Sequence, residues 1–336
     1  MELIEVTSDL AELATVQKGC VLTIGNFDGV HIGHQQILNA AKQTATENQT
    51  QLVVMTLEPH PLAVLNPDKK PELLTSLALK KHLIAKAGAD CLLLVKSTPE
   101  LLRLSSDDFV KLFIVKGIQP GIVVEGGSFN FGSGRRGNAR TLQKIGQEKG
   151  FLVSVIETKE IQLSTGQTVK VSSTVIRNML KNGDVAEAAP ALSRPYRLIG
   201  QIIPGRGKGK QIGFPTANMG PTDQLVPAEG VYAGFVQIGD TEKDVCPATA
   251  TIPAALSIGT AQTLGTDYPR LIEAHILTGQ VGDLHGKWLA MDFIQRIRSQ
   301  QKFDTEKELA GQIAKDCKTA KEILAKNKTK DCRKEI

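Results

Sequence analysis

The 336-residue chain is 41% hydrophobic, 22% charged and 4% aromatic, with a formal net charge of +5. This is the composition of an ordinary globular protein of about two domains, and it excludes a disordered tail, a collagen-like chain and a disulfide scaffold. The charge is too small and too dispersed to predict a nucleic-acid partner. Its densest basic stretches are 194–210 and 315–334, the second interleaved with acids as on a solvated helix face. No apolar run nears the ~20 residues that cross a bilayer, so no membrane partner is expected. The start Met1-Glu2-Leu3-Ile4-Glu5 lacks the layout of a signal peptide. Cys20, Cys91, Cys246, Cys317 and Cys332 are odd in number and unclustered. They argue against a zinc site and for a reducing, cytoplasmic setting.

In chain order, short apolar runs at 21–24, 52–57, 91–95, 122–124 and 151–156 read as strands buried on both faces. Helical patterns lie between them: Ile37, Leu38, Ala41 and Ala45 form one stripe after Gly33, and 79–87, 107–115 and 141–149 read the same way. The alternation predicts an α/β domain with a parallel sheet, whose ligands bind at the carboxyl ends of the strands. The pattern changes near Ala189-Pro190. Beyond it, strand-like runs at 197–203, 231–238, 255–258, 271–277 and 288–293 are separated by Gly and Pro turns and predict a small antiparallel barrel. A final helix is expected to start at Thr305, with Glu308 three residues on completing its cap. The expected domains are 1–187 and 188–336.

The segment Gly25-Asn26-Phe27-Asp28-Gly29-Val30-His31-Ile32-Gly33-His34 follows the first predicted strand and opens a helix. Its glycines permit tight turns and close approach, and the helix start offers unpaired N–H groups to an anion. His31 and His34 flank Gly33 and can reach one phosphate group; the plainer reading is a Gly-rich turn with two surface histidines. Downstream, Val171-Ser172-Ser173-Thr174-Val175-Ile176-Arg177 places hydroxyls at a helix start and an arginine one turn in. It reads either as a simple Ser/Thr cap with an exposed Arg or as a phosphate contact.

In the second half, Gly205, Gly207, Lys208, Gly209 and Lys210 form a Gly/Lys loop without P-loop spacing. Free N–H groups and basic side chains there can wrap a polyphosphate. Thr216 and Asn218 supply neutral oxygens suited to Mg²⁺, or else a turn and a polar cap. Glu273 alternates with apolar residues on the 271–277 run and shares a face with His275. A carboxylate in that setting can have a raised pKa and act as a base, although a solvent-facing glutamate is the ordinary case for a strand.

The elements GNFDGVHIGHQ, EPHP at 58–61, SFNFGSGRRG at 128–137, VSSTVIR at 171–177 and Pro215-Thr216-Ala217-Asn218 occur in order across nearly the whole chain. Together they resemble the bacterial bifunctional riboflavin kinase/FMN adenylyltransferase family, the prokaryotic FAD synthetases. The His-x-Gly-His element also resembles class I aminoacyl-tRNA synthetases, but a KMSKS-like loop and room for an anticodon-binding domain are missing. The resemblance implies a nucleotidylyl-transferase fold of Rossmann-like, HIGH type followed by a riboflavin kinase-like β-barrel with a terminal helix. It implies FMN formation from riboflavin and ATP, then FAD formation from FMN and a second ATP.

By the same resemblance, Asn26, Phe27, Gly29, His31, His34, Ser173, Thr174 and Arg177 make the adenylylation ATP site. His31, His34 and Arg177 are its catalytic groups; Pro59, His60, Pro61, Ser128 and Phe129 line the flavin side. In the kinase half, Gly207, Gly209 and Lys210 bind ATP, Thr216 and Asn218 hold Mg²⁺, Glu273 is the general base and Arg298 lies at the flavin. The sequence departs from the family pattern at Ser128, where Asp or Asn is usual. It departs again at Gln262-Thr263-Leu264 for Pro-Thr-Phe, at His285 for Tyr and at Gln300 for an acid. None removes Thr216, Asn218 or Glu273, so a working kinase with altered flavin affinity is expected. The alternatives are an adenylyltransferase with an impaired kinase domain and a non-catalytic flavin or nucleotide sensor.

Overall fold

The structure is a computed structural model that describes residues 1–6, 10–157, 159–205, 207–249, 252–260, 270–278 and 284–331. Arg206, Gln262, Thr263, Leu264 and Cys332 lie outside the described residues. The chain divides into two compact units, Met1–Glu72 with Lys80–Ser172, and Leu73–Leu79 with Ser173–Ile336.

The first unit holds β1 (Glu2–Val6), β2 (Val21–Ile24), β3 (Leu52–Glu58), β4 (Cys91–Lys96) and β5 (Ile122–Gly126). A small hairpin, β6 (Asn130–Phe131) with β7 (Gly137–Asn138), precedes β8 (Leu152–Ile156). Six strands form a parallel sheet in the order β1-β4-β3-β2-β5-β8. Parallel neighbours need crossovers. These include α1 (Ile32–Glu47), α2 (Pro61–Leu65), α3 (Leu77–Lys86), α4 (Pro99–Leu102), α5 (Ser106–Phe109) and α6 (Ala139–Lys149). Successive strand residues enter opposite cores. Leu22, Val53, Leu93 and Val123 pack on one face, and Val21, Val54, Leu92 and Val124 on the other. The apolar runs were read correctly for the central strands for this reason.

Three elements differ from the sequence reading. The last strand is not buried on both faces: it is the sheet edge, and Leu152 is 69% exposed. β1, unforeseen because Glu2 and Glu5 interrupt its apolar residues, pairs with β4 at the opposite edge, where solvent accepts the acids. The expected helix 107–115 begins as α5 but widens into π-type turns over Val110–Ile118 and stops at Gln119, whose φ is 54°. An antiparallel pair, β9 (Glu160–Gln162) and β10 (Thr168–Lys170), follows the sheet.

The second unit opens with α7 (Ser173–Asn182) and α8 (Val185–Leu192). Its strands are β11 (Tyr196–Ile203), β12 (Ala217–Met219), β13 (Gly230–Gly239), β14 (Ile252–Gly259), β15 (Leu271–Ile276) and β16 (Trp288–Arg298), with α9 (Lys208–Gln211) between β11 and β12. They close an antiparallel barrel in the order β11-β12-β15-β14-β13-β16. Only β12, three residues long, escaped the sequence reading. The terminal helix α10 (Glu306–Asp331) is capped as expected, Thr305 Oγ1 accepting the N–H of Glu308 at 3.2 Å. Cys317, Ala320 and Leu324 of α10 pack on Ala233 and Ala255 of the barrel, and Lys315, Lys318, Lys321 and Lys326 face solvent.

One basic residue of the 194–210 stretch is not solvated. Arg197 on β11 faces Asp292 on β16, in register, with Nη2–Oδ2 at 2.5 Å and both side chains at or below 10% exposed. Arg197 Nη1 also donates to the carbonyls of Val245 and Cys246. A buried pair broken on one side leaves an uncompensated charge. Asp292→Asn is therefore expected to destabilise the barrel by about 3 kcal/mol. Trp288, the single tryptophan of the chain, opens β16 and reports the change as a lower denaturant midpoint by fluorescence.

Candidate functional site

The strand order reverses at β2. From β2 the chain builds outward through β3 and β4, then returns to place β5 on the other side of β2. The crevice at the carboxyl ends of such a pair is where open α/β sheets bind ligands. β2 pairs with β3 along its whole length, but with β5 only at Val21 and Leu22. Past that point Glu125 of β5 turns its carboxyl onto the backbone N–H of Ile24 at 2.7 Å, so a side chain replaces the ladder. Glu125 is 2% exposed. Burial holds its carboxyl well above the ordinary 4.5, the bond from Ile24 opposing only in part.

The loop 25–34 leaves β2 into this crevice. Gly25 N–H donates to Met55 O, keeping the loop on the sheet axis. Phe27, Gly29 and Val30 have φ of 46°, 81° and 39°. Positive φ is costly for Phe and more so for β-branched Val. Both side chains are buried, and Gln35 Nε2 holds Val30 O at 2.8 Å, so the surroundings enforce the turn. His31 then caps α1, its Nδ1 accepting the N–H of His34. The two imidazoles stack with centroids 3.7 Å apart, and Phe27 meets the His34 ring edge-on. A Cβ on Gly33 would lie 3.2 Å from the His31 ring, so glycine allows the close stack. The two histidines that flank Gly33 are thus side by side. His34 Nδ1 is shut off from solvent without a hydrogen-bond partner. Burial, then the His31 and Lys80 charges, push the His34 ring well below 6.5, so it is neutral.

The exit of β3 forms the neighbouring wall. Asn26 stands 3.3 Å from His60 Nε2, and His60 Nδ1 caps α2 by accepting Leu62 N–H. Pro59 follows a cis peptide bond, and its carbonyl accepts the hydroxyl of Ser97. Asn26, His31, His34 and the Pro59-His60-Pro61 element are therefore assembled in one unit. A charged residue the sequence reading missed belongs here: Lys80 is 4% exposed and pairs at 3.1 Å with Glu58, which opens the EPHP element. The signal for Lys80 was its place on the apolar stripe of α3, one turn from buried Ile84. Phe129 stacks on Phe131 at 5.4 Å, and Asn130 Nδ2 donates to Ser128 O. Ser173, Thr174 and Arg177 lie on α7, in the second unit.

In the barrel, register brings Asn218 of β12 opposite Glu273 of β15, and Glu273 opposite Ser257 of β14. Thr216 Oγ1 donates to Glu273 Oε1 at 3.3 Å. Hydroxyl, amide and carboxylate thus converge as oxygen donors. The Gly/Lys loop arches over them: a Cβ on Gly209 would strike Phe214 O at 2.4 Å, so glycine is required there. Phe214 N–H donates to Gly209 O, Phe214 meets His275 edge-on, and the His275 ring bonds Pro215 O at 2.8 Å. Lys210 is exposed beside Gly207 and Gly209. Arg298 is held by Asp316 of α10 through Nε and Nη2, and Nη1 donates to Ser299 O. Gln300 donates to Ser257 Oγ and Ile258 O. An ionised acid at 300 could not make these donations, so the amide fits its surroundings. His285 is exposed.

A parallel sheet with a glycine- and histidine-bearing loop at its switch point, joined to a closed barrel with a hydroxyl–carboxylate centre, defines a two-module transferase. Residues 13–175 match the FAD synthetase family model, and residues 192–324 match the riboflavin kinase model. The chain is 36% identical over 312 residues to the bifunctional riboflavin kinase/FMN adenylyltransferase of Escherichia coli K12, covering 93% of this chain and 95% of that protein. It is 34% identical to the protein of that name from Bacillus subtilis, covering 94% and 96%. The crystal structure of a macrolide-efflux protein from Streptococcus pneumoniae has a TM-score of 0.80 at 26% identity, covering 95% of this chain and 99% of that one. The chain belongs to the bifunctional riboflavin kinase/FMN adenylyltransferase family.

The two buried groups at the crevice oppose each other in pH. Glu125 keeps its proton when folded and loses it when unfolded above about 4.5, so its contribution weakens stability as pH rises. His34 stays neutral when folded and takes a proton when unfolded below about 6.5, weakening stability as pH falls. Glu125→Gln keeps the acceptor for Ile24 and removes the ionisation. Its melting temperature, by calorimetry, is expected to gain on the wild type progressively as pH rises above about 4.5.

Proposed function

We propose that this chain makes FAD in two steps, with 188–336 as the riboflavin kinase domain and 1–187 as the FMN adenylyltransferase domain. In the barrel, Glu273 takes the proton of the ribityl 5′-hydroxyl of riboflavin. The oxygen bonds to the γ-phosphorus of ATP as the bond to ADP breaks, giving FMN and ADP. In the N-terminal domain a phosphate oxygen of FMN bonds to the α-phosphorus of a second ATP, and pyrophosphate leaves. That step needs no protein base, because a phosphate monoester is already largely dianionic at pH 7. Its catalysis is positioning and electrostatic stabilisation.

Two features support this reading: both family models fall on one chain, and the first unit assembles Asn26, His31, His34 and His60 while the barrel assembles Thr216, Asn218 and Glu273. His31 and His34 hold ATP phosphates, with Asn26, Phe27 and Gly29 shaping the loop. The resemblance of segment 171–177 adds Ser173, Thr174 and Arg177 to the ATP-binding residues of the same reaction. Pro59, His60, Pro61, Ser128 and Phe129 take the flavin side of this domain. In the kinase, Gly207, Gly209 and Lys210 take the ATP phosphates. Arg298 borders the flavin with the plane of its guanidinium, its nitrogens being engaged by Asp316 and Ser299. Thr216 and Asn218 fit Mg²⁺ by donor chemistry, a hard cation with few protein oxygens. When bound, it supplies neutralisation of phosphate charge. No helix among the described residues is long and apolar enough to cross a membrane, and a cytoplasmic setting with small-molecule substrates belongs to the same proposal.

Incubation with riboflavin and Mg²⁺–ATP, followed by chromatography with flavin fluorescence, is expected to give FMN and then FAD. His31→Ala or Arg177→Ala is expected to abolish FAD formation and spare FMN formation. Glu273→Ala is expected to abolish FMN formation and still convert supplied FMN to FAD. A single change that stops both reactions in a folded chain overturns the two-site assignment. FAD from supplied FMN alone, with riboflavin untouched by the wild type, replaces it with an adenylyltransferase carrying an impaired kinase. No product from either flavin favours a sensor.

A further inference from the structure

We infer that Lys80 is a further phosphate-binding residue of the adenylylation site, a cation that Glu58 holds in place and that engages the pyrophosphate portion of ATP. This rests on the adenylyltransferase reading above. The argument begins with burial. An ammonium at 4% exposure is expensive unless its donors are used. Lys80 has three N–H donors, and among the described residues its one hydrogen bond is to Glu58 Oε2, at 3.1 Å. The pair thus offsets the cost of burying Lys80 and leaves donors over. A residue whose purpose was only to join α3 to β3 would gain nothing from that surplus.

Position gives the surplus a direction. Glu58 is the last residue of β3, at the carboxyl end of the sheet. Pro59 and His60 follow it, and His60 reaches Asn26 of the loop. Thr56 Oγ1 bonds Asn26 O from the same strand. The Lys80 charge also contributes, after burial and His31, to keeping the His34 ring neutral. Chemistry supplies the need. Attack at the α-phosphorus moves negative charge onto the departing pyrophosphate, and fixed positive charge there lowers the barrier. The stacked histidines present hydrogen bonds and His34 is neutral, so a fixed cation beside it adds to what they supply. Lys80 is the cation at hand, and its partner carboxylate fixes it without consuming it.

The test uses the full chain, with riboflavin phosphorylation as the internal reference. Lys80→Met is expected to lower kcat/KM for ATP in FMN adenylylation by roughly 30-fold, as for loss of a charge-assisted donor. Pyrophosphate binding, read by calorimetry, is expected to weaken roughly tenfold, with FMN formation unchanged. Glu58→Gln breaks the same ion pair from the other side and is expected to tighten pyrophosphate binding, because the competing carboxylate is gone. The double variant Glu58→Gln/Lys80→Met, which strands no charge, is expected to stay as impaired as Lys80→Met. A merely structural pair predicts otherwise: both single variants equally impaired and the double restored. That outcome overturns the inference, as does Lys80→Met with unchanged pyrophosphate binding. Pyrophosphate calorimetry needs no turnover. Lys80-dependent binding in a chain that makes no FAD would leave this site standing while the adenylyltransferase reading fell.

Discussion

The first unit depends on a reversal of strand order at β2. A parallel sheet that grows in one direction and then returns must split above the returning strand, and here the split begins after Leu22 and Val123. An opened ladder leaves backbone donors without partners in the interior. The Glu125 carboxyl repairs one of them at Ile24, the residue immediately before the glycine-rich loop. The loop can therefore leave the sheet sharply, with Phe27 and Val30 in left-handed conformations, because its root is fixed on both sides. The crevice and the strain in the loop have the same origin.

The contiguous parts of this arrangement were legible in the sequence. The strands flanking β2 are near-continuous apolar runs because two cores cover them, and the loop's glycines and histidines sit within ten residues. What was hidden is non-local. Glu125 and Ile24 are 101 residues apart, and Glu58 and Lys80 are 22 apart. A charged residue reads as solvent-facing until its partner is known. Arg197 was counted with a basic surface stretch although Asp292, 95 residues away, takes it into the barrel. Edges were hidden for the opposite reason: β1 tolerates acids and β8 exposes leucine because one side of each has no neighbouring strand. β12 is too short for any periodicity to appear, yet its register carries Asn218 to Glu273.

The departures in the kinase half acquire a physical meaning from the same register. Ser257 lies across from Glu273, and Gln300 reaches back to Ser257 and to the adjoining carbonyl of Ile258. An acid at 300 would have to carry a proton to serve that carbonyl. The amide serves both acceptors without one, so the wall behind Glu273 bears no additional negative charge. A substitution at the margin of a site can thus add hydrogen bonds while changing its electrostatics.

The two halves also differ in where their charges sit. Lys208 and Lys210 stand exposed on the kinase loop, where mobile ions reach them, whereas Lys80 is enclosed beside β3. Screening acts over about 8 Å at physiological ionic strength and acts weakly on buried groups. The capped and stacked histidines are shielded as well, and His34 has no charge to screen. Ionic strength therefore acts unevenly along this one polypeptide: added salt reaches Lys208 and Lys210 and leaves the enclosed Lys80–Glu58 pair largely untouched.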